Sequence, residues 1–393
     1  MNLLPFSDED RDRLRQAIGC HEDELLAAAP PAEFKPFPAK TETEILDRLR
    51  PLAVPLEASR SGLGIGAYPI PAVVDALASR GEFVTAYTPY QPECSQGTLA
   101  SIFEFQTRIC ELTGLDLANA GVYDGATALV EAVRMAVAET GRREIVVSRA
   151  VLPSWREVLV THFAGIDLAF REAAFDPESG RTVDPRALLS ERTAALVLAS
   201  PNALGVIEDE TAVFFAAARA AGAIPIQVFH PIAVAILPTP AEVGAEIAVA
   251  EGQPLGIPLS AGGPYLGIMA ATSRFMRRLP GRIAGCTTDA DGRPAFVLTL
   301  QTREQHIRRE RATSNICSNQ ALMALRAVIR LAAFGRDGLA DEARRLNEKA
   351  LAVSEGRRLF SGRIFNEWVT EEADGLRLDY PELGPATLKA VVR

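Results

Sequence analysis

Three features of the 393-residue sequence predict an α/β protein built on a mostly parallel sheet covered on both faces. From Ser95 onward, short apolar runs alternate with helical patterns. The runs EIVVS, ALVLAS, IPIQVF and EIAVA are continuous rather than alternating, as in strands buried on both faces. Hydrophobic residues make up 48% of the chain, enough for one large core and a smaller domain.

The elements follow in order. Ser7 with Asp10, and Thr41 with Glu44, have the spacing of capping boxes that start short helices. The Pro-rich stretch PPAEFKPFPAK lies between them. SQGTLASIFEFQTRICELTG places Leu99, Ile102, Phe103, Ile109 and Leu112 near helical spacing. DGATALVEAVRMAVAETG predicts a second helix with Asp124 as its N-cap. Then come the strand 144–148, a helix from Pro153 to Phe163 and a strand GIDLAF. The strand 195–200, a helix from Thr211 to Ala221, the strand 224–229, EIAVA and YLGIMA complete the alternation. Beyond Arg303 the chain reads as helical, with a mixed tail from RIFNEWVT. The expected organisation is an arm over 1–80, a large domain over 81–312 and a shortened small domain over 313–393.

Composition excludes several function classes. A formal charge of −9 argues against nucleic acid or an anionic membrane as the main partner. Five scattered cysteines without a CxxC, and four dispersed histidines, give no metal-site spacing and fit a reducing, cytoplasmic setting. The start MNLLPFSDEDRDRL has no apolar core of the kind a signal peptide needs. AAGAIPIQVFHPIAVAILP, the longest apolar region, is cut by Gln227, His230 and three prolines, as buried strands are and membrane spans are not. Gly62, Gly64 and Ala67 formally match a dinucleotide fingerprint. No strand precedes them, and Pro69 and Pro71 disturb the helix start, so a glycine-rich connector is the better reading.

In an open α/β sheet, ligands sit at the carboxyl ends of strands and at helix N-termini. Four stations follow. Asp124 to Thr127 opens a helix, either as an anion site or as a plain cap whose carboxylate fills the site. Ser200-Pro201-Asn202 ends a strand, in the order of the turn that faces the ring in pyridoxal-phosphate enzymes; the alternative is an ordinary Pro-Asn turn. Such enzymes next place an Asp that holds the pyridinium nitrogen, then a Schiff-base lysine. Here the corresponding strands end at His230 and lead to Glu251-Gly252-Gln253. Lysine occurs only at Lys35, Lys40, Lys349 and Lys389, so the large domain has none to offer.

TAYTPYQPECSQGTLASIFEFQTRICELTGLDLANAGVYDGATAL, EGQPLGIPLSAGGPYLGIMA and LQTREQHIRRERATSNICSNQAL together resemble the P-protein (glycine decarboxylase) of the glycine cleavage system. The resemblance is to the alpha subunit of its two-chain form and runs to about residue 370. It implies an aminotransferase-like fold and a beta partner, usually in a heterotetramer of two alpha and two beta chains. It implies pyridoxal phosphate on a lysine of the beta subunit, at the position of Gln253 here. The pair would decarboxylate glycine and pass the aminomethyl group to the lipoyl group of the H-protein. The expected role of this chain is to bind no cofactor, complete the folded pair and shape the entrance. Asp124, Thr127, Asn202, His230 and Gln253 would be a degenerate cofactor site. Tyr87, Thr88, Tyr90 and Glu93, in the Pro-braced loop TAYTPYQPE, are candidates to reach the partner's active site or to build the interface. The basic run EQHIRRER could meet an acidic carrier, or be a solvated face.

The sequence departs from the family pattern at four places. His230-Pro231 stands where Asp-Pro is common, and Leu152-Pro153 where His-Pro is common. The GAY–PIPAVV junction is short, and so is the segment between about Val369 and Leu376. These departures leave a diverged, non-catalytic binding or regulatory paralogue as the alternative reading.

Overall fold

The computed structural model describes residues 7–21, 24, 27, 38–52, 65–260, 262–371, 376–377 and 387–390. Two compact units result, Met1–Pro55 and Leu56–Arg393; positions 80 and 312 both fall inside the second. The first unit carries helices α1 (Asp8–Ile18) and α2 (Glu42–Leu49). Both begin with the expected capping boxes, Ser7 with Asp10 and Thr41 with Glu44. Each box satisfies two backbone N–H groups that a helix start leaves without partners. Gly62 and Gly64 lie outside the described residues.

The second unit is built on a seven-stranded sheet in the order β1-β7-β6-β5-β4-β2-β3. Its strands are β1 (Leu117–Ala118), β2 (Glu144–Ser148), β3 (Ala169–Ala173), β4 (Thr193–Ser200), β5 (Ile224–Phe229), β6 (Ile247–Glu251) and β7 (Gly267–Ala271). Strands β3, β2, β4, β5 and β6 pair in parallel, and β7 runs antiparallel to both its neighbours. Side chains of a strand alternate between faces, and the packing follows that period. Ile145, Val147 and Val197 join one core with helices α5 (Gly125–Thr140) and α6 (Pro153–Phe163). Val146, Leu196 and Leu198 pack on the other face against α7 (Thr211–Ala220). That face also holds α4 (Gln96–Thr113) and the long α8 (Ala321–Ser354).

Three expectations need correction. The strand after α6 begins at Ala169, not Gly165, because 165–168 turn the chain back and β3 is a half-exposed edge. The hairpin β8 (Ile283–Thr288) and β9 (Pro294–Thr299) was not anticipated. Its sequence is too polar for a buried run, though Asp291-Gly292 at its turn is a hairpin signal. Phe296 and Leu298 seat it on α4. Finally, 303–320 is not a helix. One turn, Gln305–Arg308, is followed by a 3-10 turn at Arg309–Arg311, with extended chain up to α8. Leu300 and Arg309 adopt positive φ, 52° and 54°. Ser314 and Asn319 give their side chains to backbone groups instead of to helix faces.

The tail adds a small antiparallel sheet of β10 (Glu367–Thr370), β12 (Thr387–Ala390) and β11 (Leu376–Arg377). It presses on the turn after β4: a Cβ on Gly205 would fall 2.2 Å from the Glu367 carbonyl oxygen. Gly205, at φ 79°, is needed there both for its conformation and for that approach.

α8 is broken at Gly335, whose φ of 62° is not helical. Its two halves are joined by a buried ion pair. Arg330, fully buried, donates to both Glu342 oxygens at 2.6 Å and to the Pro69 carbonyl at 2.7 Å. Removing one partner of such a pair leaves a buried charge uncompensated. Glu342→Ala is therefore expected to lower stability by about 3–5 kcal/mol in urea unfolding. An Arg330→Met, Glu342→Leu double variant should lose much less; equal losses would show that packing, not charge, governs the site.

Candidate functional site

The carboxyl ends of β4, β5 and β6 meet the N-terminus of α5, where the four stations converge. β6 ends in Glu251, a buried carboxylate at the end of an otherwise apolar strand. Its Oε2 accepts the Gly125 N–H at 3.0 Å. Its Oε1 accepts the N–H groups of Gln253 at 3.0 Å and Leu266 at 3.1 Å. An exogenous anion at a helix N-terminus would use such donors; here a side chain of the protein takes them. Burial pushes the Glu251 carboxyl up to about 7, against the lowering by the three N–H donors.

Asp124 caps α5 by accepting the Thr127 N–H at 2.7 Å, so this station is built as a cap. Between Asp124 and Thr127, the backbone of Gly125 lies under the indole of Trp155. A Cβ on Gly125 would fall 2.2 Å from that ring and 3.0 Å from the Glu251 nitrogen. Only glycine fits that approach.

Gln253, in the loop after β6, is buried and turned toward the segment before α3 (Ala72–Ala78). Its Oε1 accepts the Gly66 N–H at 3.0 Å, and its Nε2 donates to the Gly66 carbonyl at 2.9 Å. Nε2 also donates to the Ile257 carbonyl at 2.7 Å. The amide thus pairs with one backbone residue as a strand neighbour would.

His230, just past β5, is buried against Phe365 and Tyr68. Its Nδ1 accepts the N–H groups of Ile232 and Ala233, which leaves the proton on Nε2, 3.0 Å from the Tyr68 hydroxyl. Burial depresses its pKa to about 3, so the ring is neutral. Burial, reinforced by Glu367, raises that of Tyr68, and Asn366 donates to its oxygen at 2.9 Å. Asn202 spends its whole amide on the turn after β4. Oδ1 accepts from Leu204 and Val206; Nδ2 donates to the Gly180 carbonyl and to Glu208. About 50 Å³ of open space remains among Leu152, Trp155, Pro201, Asn202, His230 and Glu251.

The loop candidates lie apart from this cluster. Tyr87 is 89% exposed, Tyr90 and Glu93 are exposed, and Thr88 is half-buried. Tyr90 meets the His306 ring edge-on at 5.8 Å, and the Arg282 guanidinium sits 5.7 Å from its ring centre. The loop 85–93 therefore rests on the 301–319 segment, two stretches the sequence alone does not connect. Nor does the sequence assign roles to Glu251, Trp155 or Tyr68. A charged residue closing a continuous apolar strand was the one available signal for Glu251.

The mostly parallel sheet, with its site at the carboxyl ends of β4 to β6, is related to the pyridoxal-phosphate-dependent transferase fold. Solved structures of this kind superpose on the chain. A Burkholderia pseudomallei sphingosine-1-phosphate lyase has a TM-score of 0.64 at 16% identity, covering 93% of this chain and 89% of that one. A crystal structure of glycine decarboxylase (P-protein) of the glycine cleavage system, in inhibitor-bound form, has a TM-score of 0.84 at 38% identity. It covers all of this chain and 95% of that one. The family profile described as Glycine cleavage system P-protein matches residues 2–375. Among curated relatives, probable glycine dehydrogenase (decarboxylating) subunit 1 of Desulfovibrio desulfuricans is 46% identical, over 90% of this chain and 81% of its own. The Moorella thermoacetica protein of the same description is 46% identical, over 99% and 88%. The chain belongs to the glycine cleavage system P-protein family.

Glu251 sets a pH dependence. Unfolded, it ionises near the ordinary 4.5; folded, near 7. Between these values the folded chain holds the extra proton, so its contribution to stability is lost as pH rises. His230, at about 3 instead of 6.5, acts in the opposite sense, losing stability as pH falls below 6.5. Comparison with Glu251→Gln isolates the first effect. The stability of the native chain relative to that variant is expected to fall by up to roughly 3 kcal/mol between pH 4.5 and 7. A difference that stays constant with pH, measured by urea unfolding, would refute it.

Proposed function

We propose that this chain is the cofactor-free alpha subunit of a glycine dehydrogenase (decarboxylating), inert alone and completed by a beta subunit that carries pyridoxal phosphate. The observation that carries this reading is the Glu251–Gln253 arrangement. A bound pyridoxal phosphate needs a lysine, an anion site and room for a ring. Gln253 stands where the lysine would be, and its amide is committed to Gly66. Glu251 holds the Gly125 N–H and would repel a phosphate placed there. The remaining 50 Å³ or so has room on the order of one or two waters. His230 is neutral and offers no carboxylate to a ring nitrogen. The residues present do not fit the cofactor.

The role left to the chain is positional. Tyr87 projects almost wholly into solvent, an unusual state for an aromatic side chain and one that suits a contact across an interface. Its hydroxyl can donate a hydrogen bond to a substrate carboxylate. Tyr90 is held in place by His306 and Arg282, so the loop with Thr88 and Glu93 is presented on a fixed support. In this reading the pair assembles as a cytoplasmic heterotetramer of two alpha and two beta chains. It passes the aminomethyl group of glycine to the lipoyl group of an H-protein. No helix among the described residues is long and apolar enough to cross a membrane.

Two results test the proposal. Gln253→Lys, incubated with pyridoxal phosphate, is expected to give no visible absorbance from covalently held cofactor, because the other groups still exclude it. Absorbance at one cofactor per chain would overturn the reading of a closed site. Glycine-dependent CO2 exchange should require both chains, and Tyr87→Phe should raise the KM for glycine about tenfold with a smaller change in kcat. An unchanged KM would remove Tyr87 from the substrate's surroundings.

A further inference from the structure

A second concave site lies where the 300–313 segment folds back over the end of β9. Arg277, Arg303, Arg308 and Arg311, with the hydroxyl-bearing Thr302 and Thr313, line a cavity of about 430 Å³. No carboxylate lines it. That is unexpected in a chain of net charge −9. The adjoining arginines show the ordinary solution. Arg274 pairs with Glu246 at 2.8 Å and Arg278 with Glu139 at 2.6 Å.

The cavity arginines are not neutralised in this way. Arg303 is 9% exposed and spends Nε on the Leu300 carbonyl and Nη2 on the Gly281 carbonyl. It makes no ion pair among the described residues, although Glu304 is its neighbour in sequence. Burial lowers its pKa, the mark of a charge stripped of water without full compensation. Arg308 donates to the Thr302 carbonyl, Arg277 has no hydrogen bond or ion pair among the described residues, and Arg311 reaches only the exposed Glu310, at 3.7 Å. Four guanidiniums share one cavity with no carboxylate in its lining; the nearby counter-charges are the exposed Glu310, and Glu304, which acts on Arg303 without pairing with it.

Like charges gathered at this density repel unless something negative occupies the space between them. Guanidinium forks match phosphate and carboxylate oxygens, and the two threonine hydroxyls can add neutral donors. The volume falls in the range of small-molecule sites, larger than a single phosphate requires. The backbone around it departs from ordinary conformations at Leu300 and Arg309, as chain held around a ligand site often does. We propose that this cavity binds a small polyanion carrying at least two phosphate or carboxylate groups. The inference does not depend on the function proposed above, since no residue of the Glu251 cluster takes part.

Calorimetric titration of the full chain with inorganic pyrophosphate and with citrate, at fixed ionic strength and with acetate as monoanion control, tests it. One equivalent of polyanion is expected to bind, with Kd of about 0.1 mM and acetate far weaker. Preference for pyrophosphate or citrate would identify the anionic group. Arg277→Ala and Arg311→Ala, both at exposed positions, should each weaken binding about tenfold, and Arg274→Ala, whose charge is already paired, should not. Absence of saturable binding would overturn the proposal. So would equal weakening by Arg274→Ala, which would mean diffuse attraction to a basic face. Complete loss of binding when the partner subunit is added would also overturn it, by assigning the cavity to the subunit interface.

Discussion

The buried carboxylate of Glu251 is the contact on which the candidate site depends. Three backbone N–H groups, from the start of α5, the loop after β6 and the residue before β7, converge on its two oxygens. None of the three has a regular secondary-structure partner there, and an unmade hydrogen bond in this dry environment would cost about 1–3 kcal/mol. The carboxylate satisfies all three at once and ties a helix to two strands. Its price is desolvation, visible in a carboxyl pushed up to about 7.

The neighbouring contacts follow from that one. With its carboxylate at the α5 N-terminus, β6 leads directly into Gln253, whose amide reaches the backbone of Gly66 and holds the segment before α3. That segment supplies Tyr68, which receives the His230 Nε2–H and the Asn366 amide, linking the end of β5 to the tail. It also supplies the Pro69 carbonyl to Arg330 of α8. A chain of buried polar contacts therefore runs from the sheet's carboxyl ends through 66–69 to α8 and β10. Most of these polar groups find partners within the protein; the buried Arg330 Nε is the exception.

Much of this was legible in the sequence. The mostly apolar runs at β2, β4, β5 and β6 mark the sheet, because strands buried on both faces are apolar at most positions; Gln227 in β5 and the end residues Glu144 and Glu251 are exceptions. Asp124 as an N-cap and the two capping boxes were visible because such contacts span three residues. The 303–320 stretch reads as helical because its arginines, glutamates and glutamines carry good helix propensity. Positive φ at Leu300 and Arg309, and the side-chain bonds of Ser314 and Asn319, override that propensity. The β8–β9 hairpin was missed because its stability comes from packing on α4, not from a pattern of its own.

The sequence by itself determined the fold class, the family and the absence of any lysine between Lys40 and Lys349, since each is a property of residue order and identity. Only the tertiary structure decided what the Gln253 amide contacts. Residues 187 positions apart had to meet before the Gln253 amide became a clamp on Gly66. The close approach of Gly125 to the Trp155 indole likewise exists only once α5 and α6 have packed. The four arginines of the second cavity are spread from Arg277 to Arg311, and their shared charge exists only once the chain folds back on itself. Local propensity is written in neighbours, whereas desolvation and charge balance depend on what the whole chain brings to one point.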